Sequence, residues 1–475
     1  MRNSAAESQP LRLRLLMYVT IKIILFLTLL FLVDRSLSSP IKQNKTKVLI
    51  LGAGLAGIRA AKTLLDRNIT DILILEGKNY TGGRIHAMKF TNYTIEAGAN
   101  WIHFVNEDDT KPFLERKEAR SVRVHTYNYS NIIMRDEDGK DVTDFAVVRE
   151  FDDKVHNKIE EFQEERRTKN FPDMPARVGL QLMGWKGKRP IERAIEYFEL
   201  DYEFAKPPEE VSFYSLFVSG EEFLVPDERG VWSMFEDLSK PLEKKTISGV
   251  LAKDLVTLEP ALPDWKKEAI YKIPLSTYTK IYLKFPKKFW DDNEYILYVS
   301  KDLGRFPVWQ DLSRPGINSV NSGMLEITVT GAEGRRIEGQ SFNETKAEIM
   351  EILRKVYGEG IPEATDIYYH RWSKEPLTQG AFSDPVVGMT SKDWENIGKN
   401  LGRLYFAGEA TSEEWYGYMQ GAYLTGDKKG KMIAENIFLH EPISKPGKPK
   451  SEATLVKVTI PGVFLLSYLH SLLWN

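Results

Sequence analysis

The clearest pattern of apolar and polar positions along the chain lies in residues 47–76. An apolar strand runs into the glycine turn GAGLAG, a helical stretch follows, and a second apolar strand, Ile72–Leu75, ends on Glu76. Two short apolar runs separated by a glycine turn and a helix are typical of a βαβ unit with parallel strands. We therefore predict that this segment forms the first strand, crossover helix and second strand of a parallel sheet.

Each polar or glycine position in this unit has a physical role in binding a dinucleotide. Gly52 permits the tight turn, Gly54 lets backbone amides approach a pyrophosphate, and Gly57 lets the helix pack closely on the strand. The helix N-terminus offers free N–H groups to phosphates, and Glu76 is placed to accept hydrogen bonds from a ribose. The complete context favours a dinucleotide site over a chance match in an ordinary βαβ unit.

Composition narrows the class of protein. The chain has 475 residues, which is enough for two or three domains or one large two-domain enzyme. Its net charge of -2 gives no basic footprint for nucleic acid, so no nucleic-acid partner is expected. The absence of cysteine excludes disulfides, cysteine-based zinc sites and thiol catalysis. We predict no metal site.

Residues 1–44 have the pattern of a targeting segment. Arginines precede the apolar stretch Leu15–Val33, and small residues follow it. This pattern indicates a secretory signal peptide or an uncleaved membrane anchor, and the length of the stretch does not separate the two. Either interpretation predicts the secretory pathway, with an extracellular or cell-wall protein or a membrane-anchored protein whose catalytic part is lumenal.

Two further features bear on this route. Six N-x-S/T sequons favour a glycoprotein; they begin at Asn44, Asn68, Asn79, Asn92, Asn128 and Asn343. Residues 441–475 have the composition of a basic linker followed by an apolar tail. The tail is compatible with membrane docking, with a removed anchoring signal and with packing on the body of the protein.

Three small-residue segments follow the first βαβ unit. Gly82-Gly83-Arg84 combines a turn with a cation that can pair with phosphate, and Ile95–Trp101 forms another small-residue loop. Far downstream, Arg403–Glu409 is predicted to be a short buried strand ending in Gly-Glu, and a helix is expected from about Gly417 to Asn436. Glycine pairs alone usually mark ordinary turns, so the order of these segments carries the argument.

These motifs together resemble a known family. The segments VLILGAGLAGIRAAKTL, GGRI, EAGANWIH, YEFA, YTKIYLKFPKKFW and RLYFAGEATSEEWYGYMQGAYLTG occur in an order that resembles the FAD-dependent amine oxidases. The likeness is greatest to polyamine oxidases of the plant extracellular type. It covers most of residues 45–437 and leaves both ends of the chain outside it.

The resemblance implies an α/β fold with two interleaved domains. A GR2-type FAD-binding domain with a Rossmann-like parallel sheet is expected from residues 45–118, 228–275 and 395–440. A substrate-binding domain of mixed sheet plus helices is expected from residues 119–227 and 276–394. The implied reaction oxidises a secondary amine of a polyamine, with O2 as acceptor and H2O2 as product. The expected partners are the polyamine and O2, and a monomer is favoured.

The resemblance also implies which residues contact FAD. They are expected to lie on the glycine turn, the two small-residue loops and the Gly-Glu turn: Gly52, Gly54, Ala56, Gly57, Glu76, Gly83, Arg84, Gly98, Ala99, Asn100, Trp101, Trp372, Gly408, Glu409, Gly417 and Tyr418.

Four residues are implied as catalytic. Lys280 lies on a predicted strand, on the same face as Tyr278 and Tyr282, where the family places its lysine near the flavin. Tyr418 and Phe382 are expected to face each other across the substrate, and His103 completes the set. Without the resemblance, a strand lysine is more often a solvated edge residue, and each ring is more often part of an ordinary core.

The substrate-binding residues implied are Glu203, Phe204, Trp101, Tyr278 and His103. A long cation needs acids or ring faces, and Glu203 with Phe204 supplies one of each. His103 departs from the plant-type pattern, which has an acid there, and resembles the animal polyamine and spermine oxidases. This difference leaves the side of the secondary amine that is cleaved open.

One part of the family pattern is missing. After Arg229-Gly230 the family has a long insert that includes a strand contacting adenine and a further sheet strand, but here residues 231–246 show no such alternation. A parallel sheet that lacks an interior strand leaves backbone groups unpaired. The alternatives are therefore a flavin-deficient, non-catalytic shortened isoform, or another FAD amine oxidase. A histone demethylase and a nicotinamide enzyme are disfavoured.

Overall fold

The structure is a computed structural model that describes residues 46–216, 220–248, 256–440 and 455–458. The predicted signal or anchor, the sequon at Asn44 and most of the predicted tail lie outside these residues. The described residues from Val48 onward belong to one compact unit.

The strands are numbered in chain order. They are β1 Val48–Leu51, β2 Ile72–Leu75, β3 Ala87–Phe90, β4 Tyr93–Glu96, β5 Trp101–Ile102, β6 His125–Thr126, β7 Ile132–Asp136, β8 Phe223–Leu224, β9 Thr246–Ile247, β10 Val256–Glu259, β11 Tyr278–Lys284, β12 Tyr295–Val299, β13 Val308–Asp311, β14 Met324–Thr330, β15 Asp366–Tyr369 and β16 Leu455–Val458.

The α-helices are numbered in the same way. They are α1 Leu55–Asp66, α2 Lys111–Ala119, α3 Phe145–Phe151, α4 Ile159–Thr168, α5 Ala176–Leu182, α6 Pro190–Glu196, α7 Tyr202–Phe204, α8 Glu236–Ser239, α9 Asp264–Tyr271, α10 Gly331–Glu338, α11 Phe342–Tyr357, α12 Ser391–Gly398 and α13 Met419–His440. Short 3-10 turns lie at Val231–Phe235, Lys240–Lys245 and Glu409–Thr411.

The predicted βαβ unit is present. Strands β1 and β2 pair in parallel with Val48 opposite Ile72, and α1 connects them. Helix α1 buries an apolar face that includes Leu55, Ile58 and Leu64. Helix α13 packs on α1 at Gly426, where a Cβ would come within 2.4 Å of the Ala56 carbonyl oxygen. Small residues therefore allow these two helices to approach closely.

In the described part of the chain, the parallel sheet has three strands. β9 adds to β2 in parallel, with Ile74 opposite Thr246, and gives the order β1-β2-β9. The segment between Arg229 and β9 forms 3-10 turns and the four-residue helix α8, in agreement with the lack of strand alternation there. Among the described residues, no strand pairs with the outer edge of β1, and Leu49 and Leu51 are each 38% exposed.

The predicted buried strand at Arg403–Glu409 is wrong. The structure has only an isolated bridge between Leu401 and Leu404, and Ala407 is exposed. A parallel strand needs a hydrogen-bonded neighbour, and the strand that the family pattern places in its missing insert is not replaced in the described part of the chain. The helix predicted after this segment is confirmed as α13.

The second sheet has six strands in the order β15-β11-β14-β13-β12-β7. Its neighbours are antiparallel except for β12 and β7, which are parallel. One face packs with α10 and α11 in an apolar core that includes Ile281, Ile327 and Leu353. The other face contributes Tyr282 and Tyr295 to a second core. Because both faces are covered, β11 presents its polar side chains to the protein interior.

The remaining strands of the described residues form three small antiparallel sheets. β3 pairs with β4, β10 pairs with β16, and β8 pairs with both β5 and β6. In the β5–β8 pair, Ile102 lies opposite Phe223. The residue that follows β5 and the residue that precedes β8, His103 and Glu222, are therefore neighbours across the two strands. The predicted division into two interleaved domains stays a prediction.

Candidate active site

One cavity of about 520 Å³ lies between the glycine turn, the loop at Gly98, strand β11 and the segment before α13. Its volume is within the range of ligand pockets, which is about 300–1,000 Å³. Every predicted site residue except Gly57 lines this cavity. Residues that the sequence did not predict also line it, and Lys78, Tyr129, Tyr202 and Glu222 are among them.

The glycine turn borders the cavity with its backbone. Gly52 has φ +99°, which favours glycine, and a Cβ on Gly54 would meet no atom within 4 Å. Gly54 is the N-cap of the 12-residue helix α1 and has no side chain, so it does not cap the N–H groups of the first helical turn. Gly57 faces the other way, since its Cβ would lie 2.1 Å from the Gly52 carbonyl oxygen. It shapes the turn instead of lining the cavity.

Glu76 lies where β2 ends and is 7% exposed. Its Oε2 accepts the Ala53 N–H at 2.6 Å, and its Oε1 accepts the Lys78 N–H at 2.8 Å. These two bonds fix the carboxylate at the edge of the cavity, and each oxygen keeps a further lone pair. The geometry suits a carboxylate that accepts hydrogen bonds from a ribose.

Glu409 joins three segments at the centre of the cavity wall. Its carboxylate pairs with the Arg84 guanidinium at 2.8 Å and accepts the Gly417 N–H at 2.8 Å. It also accepts the Ser383 hydroxyl, and Arg84 donates to the Ala381 carbonyl at 3.2 Å. Although the predicted strand before it is absent, Glu409 is held by side-chain bonds on the neighbouring loops.

Lys280 is buried on β11, and its Nζ donates to the Gly98 carbonyl at 2.6 Å. Burial lowers the pKa of this lysine, while the Glu326 and Glu96 carboxylates oppose the shift. Burial raises the pKa of Glu96 to about 7, although the hydrogen bond from the Val231 N–H and the charge of Lys280 both act to lower it. A buried lysine between two acids can hold or release a proton inside the cavity.

Glu96 and Glu326 were missed because their proximity to Lys280 depends on the tertiary fold. Glu326 lies on β14 opposite Tyr282 of β11, and only the sheet register reveals this pairing.

Aromatic rings line the rest of the cavity. The Phe382 ring centroid lies 5.8 Å from that of Tyr278, which is also 5.8 Å from that of Tyr202. Trp372 is buried, and its Nε1–H donates to the Ala97 carbonyl at 2.8 Å. Tyr418 borders the same cavity near His103, at 4.9 Å between ring centroids. The facing arrangement of Tyr418 and Phe382 stays a prediction.

Acidic groups collect beside Tyr418. The Tyr418 hydroxyl donates to Glu203 Oε1 at 2.7 Å, and burial followed by the Glu203 charge raises the pKa of this phenol well above its usual value. His103 Nδ1 contacts Glu222, whose other oxygen accepts the Tyr129 hydroxyl. Glu222 is 8% exposed, and no local sequence motif indicated its role. In the residues that the structure describes, no cluster of His, Asp or Glu is arranged to hold a metal ion.

Comparison with known proteins identifies the family. The family model of the flavin containing amine oxidoreductases matches residues 55–218 and 246–429. The chain belongs to this family. Polyamine oxidase 1 of Zea mays is 32% identical over 82% of this chain and 90% of its own length. Polyamine oxidase 7 of Oryza sativa subsp. japonica is 30% identical over 85% of this chain and 98% of its own length.

Solved structures agree on the fold. Wild-type putrescine oxidase bound to putrescine aligns with a TM-score of 0.67 at 15% identity, over 82% of this chain and 99% of that one. A single mutant of putrescine oxidase from a redesign of cofactor binding gives a TM-score of 0.65 at 14% identity, over 82% of this chain and 98% of that one. The α/β fold with a parallel sheet and a mixed sheet, predicted from sequence, is therefore confirmed.

This amine oxidoreductase is an FAD-dependent enzyme that acts on amines, and its residues fit the cofactor. The N-terminal N–H groups of α1 and the open space at Gly54 suit the diphosphate, and the Glu76 carboxylate suits the ribose. The break in the family match, between residues 218 and 246, includes the segment from Arg229 to β9, which forms 3-10 turns and helix α8 and no strand. The residues around the glycine turn therefore fit the diphosphate and the ribose, and the parallel sheet beside them has three strands among the described residues.

Proposed function

We propose that this amine oxidase oxidises polyamines, such as spermine, spermidine or their acetylated forms, at a secondary amine. The observation that carries the proposal is the position of Glu203, whose carboxylate lines the same cavity as Lys280 and bonds to Tyr418. A long aliphatic cation needs an acid for its remote ammonium and rings for its methylenes. The names of the two plant relatives support the same substrate class.

In the proposed reaction, the amine loses two electrons and two protons to become an imine. Bound FAD supplies this two-electron oxidation, and O2 takes up the electrons and two protons to give H2O2. Water then adds to the imine, and the C–N bond breaks to give an aminoaldehyde and an amine. Glu203 is placed to pair with a remote ammonium, and Lys280 to hold or accept a proton near the Gly98 carbonyl. Phe204 and Tyr418 line the cavity and offer ring surface to the methylenes of the substrate.

A substrate panel tests the proposal. Reduction of the bound FAD under anaerobic conditions is expected with spermine or spermidine and not with a monoamine of similar length. Replacement of Glu203 with glutamine should raise the KM for spermidine by about 10- to 100-fold, because a charge-assisted hydrogen bond is worth about 1.5–3 kcal/mol. Equal oxidation of the monoamine, or an unchanged KM in E203Q, would contradict a polyamine substrate and favour another FAD amine oxidase.

A flavin-deficient, non-catalytic protein is the second candidate, because β1 has no strand on its outer edge among the described residues. The two candidates differ in one measurement. A purified chain with a flavin absorbance spectrum and one FAD per chain supports the enzyme, whereas a colourless, folded chain supports the non-catalytic protein.

We further propose that the protein enters the secretory pathway and is glycosylated. The basic and apolar pattern of residues 1–44 supports this proposal, as does the exposure of five sequon asparagines, Asn68, Asn79, Asn92, Asn128 and Asn343. Among the described helices, none has the length and apolar content needed to cross a bilayer. Protein expressed in a eukaryotic secretory host should lose mass when treated with an N-glycosidase. Unchanged mass would count against the proposal.

A further inference from the structure

A histidine and a glutamate are held side by side at the end of the cavity by strand register. Because Ile102 of β5 pairs with Phe223 of β8, His103 lies across from Glu222, and its Nδ1 contacts the Glu222 carboxylate. The other Glu222 oxygen accepts the Tyr129 hydroxyl. The carboxylate is therefore fixed from two sides, and both residues line the cavity.

Three ionisable side chains act on His103 from the elements around it: Glu222 precedes β8, Glu203 lies on α7, and Tyr418 precedes α13. A fourth, Tyr129, follows β6 and bonds to Glu222. Burial lowers the pKa of His103, but the charges of Glu222 and Glu203 and the hydrogen bond to Glu222 outweigh it, so the net shift is upward from 6.5. In the free enzyme, the imidazole is therefore protonated over a wider pH range than an ordinary histidine.

We propose that Glu222 and His103 form a subsite for a terminal ammonium of the substrate, in which the ammonium replaces the proton of His103. The choice of an ammonium as the ligand rests on the proposed function, in which the substrate is a polyamine. At a pH below the pKa of His103, the imidazolium neutralises Glu222 before the ligand binds. On binding, His103 releases one proton to solvent, and the substrate ammonium takes over as the counter-charge of Glu222. The total charge at the subsite is unchanged.

The hydrogen-bonding capacity of the pair suits this exchange. A neutral imidazole has one donor and one acceptor nitrogen. Since Nδ1 contacts Glu222, it keeps its proton and donates to the carboxylate, which leaves Nε2 as an acceptor for an ammonium N–H. An imidazolium has no acceptor and repels a second cation. Glu222 thus acts on the substrate partly through His103. It is a positioning residue that sets the tautomer and the charge of the His103 imidazole.

The exchange of a proton for an ammonium fixes how the affinity for the ligand changes with pH. Below the pKa of His103 in the free enzyme, each ligand must displace a proton, so affinity rises with pH by up to about tenfold per unit. Above that pKa the imidazole is already neutral, and affinity levels off. Because the pKa is raised, the rise should continue above pH 6.5.

Calorimetry on the FAD-loaded enzyme tests the subsite. The probe is 1,8-diaminooctane, which carries two terminal ammoniums and no secondary amine. Titrations in two buffers of different ionisation enthalpy give the number of protons released on binding. Below the pKa of His103, the number of protons released per ligand should approach one. Above that pKa it should fall to zero. Over the same pH range the affinity for the diamine should rise and then level off.

Three variants separate the roles. In His103→Asn the proton release and the pH dependence of affinity should disappear. In Glu222→Gln the pKa of His103 falls, so the release should vanish near neutral pH and the affinity should drop. The matched control is Glu221→Gln, because Glu221 is the exposed neighbour of Glu222 and contacts Asn106. It should behave as the unmodified enzyme does.

Two results would overturn the subsite: the same proton release in H103N as in the unmodified enzyme, or an unchanged release and affinity in E222Q. The flavin spectrum of each variant checks that the holoenzyme has formed, and H103N decides the matter alone if E222Q does not fold. Oxidation of spermidine is measured on the same preparations. If the diamine binds with proton release but no polyamine is oxidised, the proposed function fails and the subsite stands. If spermidine is oxidised but no proton is released, the subsite fails.

Discussion

Replacement of Lys280 with methionine is expected to lower kcat for polyamine oxidation by about 100-fold or more, which is the usual contribution of a positioned proton donor or acceptor. The side chain is buried, its Nζ bonds to the Gly98 carbonyl, and its pKa is lowered by burial. Methionine keeps most of its volume and removes its charge and its three donors. Measurement of oxygen consumption at saturating spermidine gives kcat.

Lys284→Met provides the matched control for this prediction. Lys284 is four residues along the same strand and on the same face, but its Nζ donates to the adjacent Phe285 carbonyl. The control should keep its kcat, and both variants should keep the visible spectrum of bound FAD. A K280M enzyme with full kcat would exclude a proton-handling role for Lys280.

The second large effect is expected at Gly57. A Cβ at this position would lie 2.1 Å from the Gly52 carbonyl oxygen, so Gly57→Ala must displace the backbone of the turn or of α1. We expect a loss of about 1–3 kcal/mol or more in the free energy of unfolding. Because the turn carries the phosphate-binding N–H groups, FAD affinity should fall at least about tenfold, which is about 1.4 kcal/mol. Thermal unfolding and fluorescence titration with FAD measure the two losses.

Gly54→Ala separates the loss of stability from the loss of FAD affinity, because Gly54 lies in the same turn but faces open space. Its φ is −71° and a Cβ would meet no atom within 4 Å, so the apoprotein should unfold at the same temperature as the unmodified chain. FAD affinity should still fall, because the new methyl group occupies the space that a diphosphate must approach. Equal stability of the apo forms of G57A and G54A would contradict the packing role of Gly57.

The sequence predicted most of the phosphate-binding unit because that unit is local. The turn, α1 and β2 follow each other within about 30 residues, and their apolar pattern carries the signal. Strand β11 was also predicted, and its alternation put Lys280 on the face of Tyr278 and Tyr282. The resemblance, and not the alternation, indicated that Lys280 is buried, as the structure shows. The resemblance then brought distant segments together, and the residues it implied line one cavity with the exception of Gly57.

Pairings between distant segments could not be predicted in the same way. Glu222 reaches His103 only because of the β5–β8 register, and Glu326 approaches Lys280 only because β14 lies beside β11. The strand expected at Arg403–Glu409 had the right local composition but lacks a neighbour to pair with in the part of the chain that the structure describes. Strand formation depends on a hydrogen-bonding partner, which no single segment of sequence contains.

The open edge of β1 also has a consequence for amide hydrogen exchange. Alternate backbone N–H groups of β1 point to β2, and the others point to an edge that no strand covers among the described residues. Strand β11, in contrast, is hydrogen-bonded on both sides. Deuterium should therefore enter β1 sooner than β11, and local opening should begin at the strand that leads into the glycine turn. A ligand that binds the folded turn stabilises it against local opening, so saturating FAD should slow that exchange.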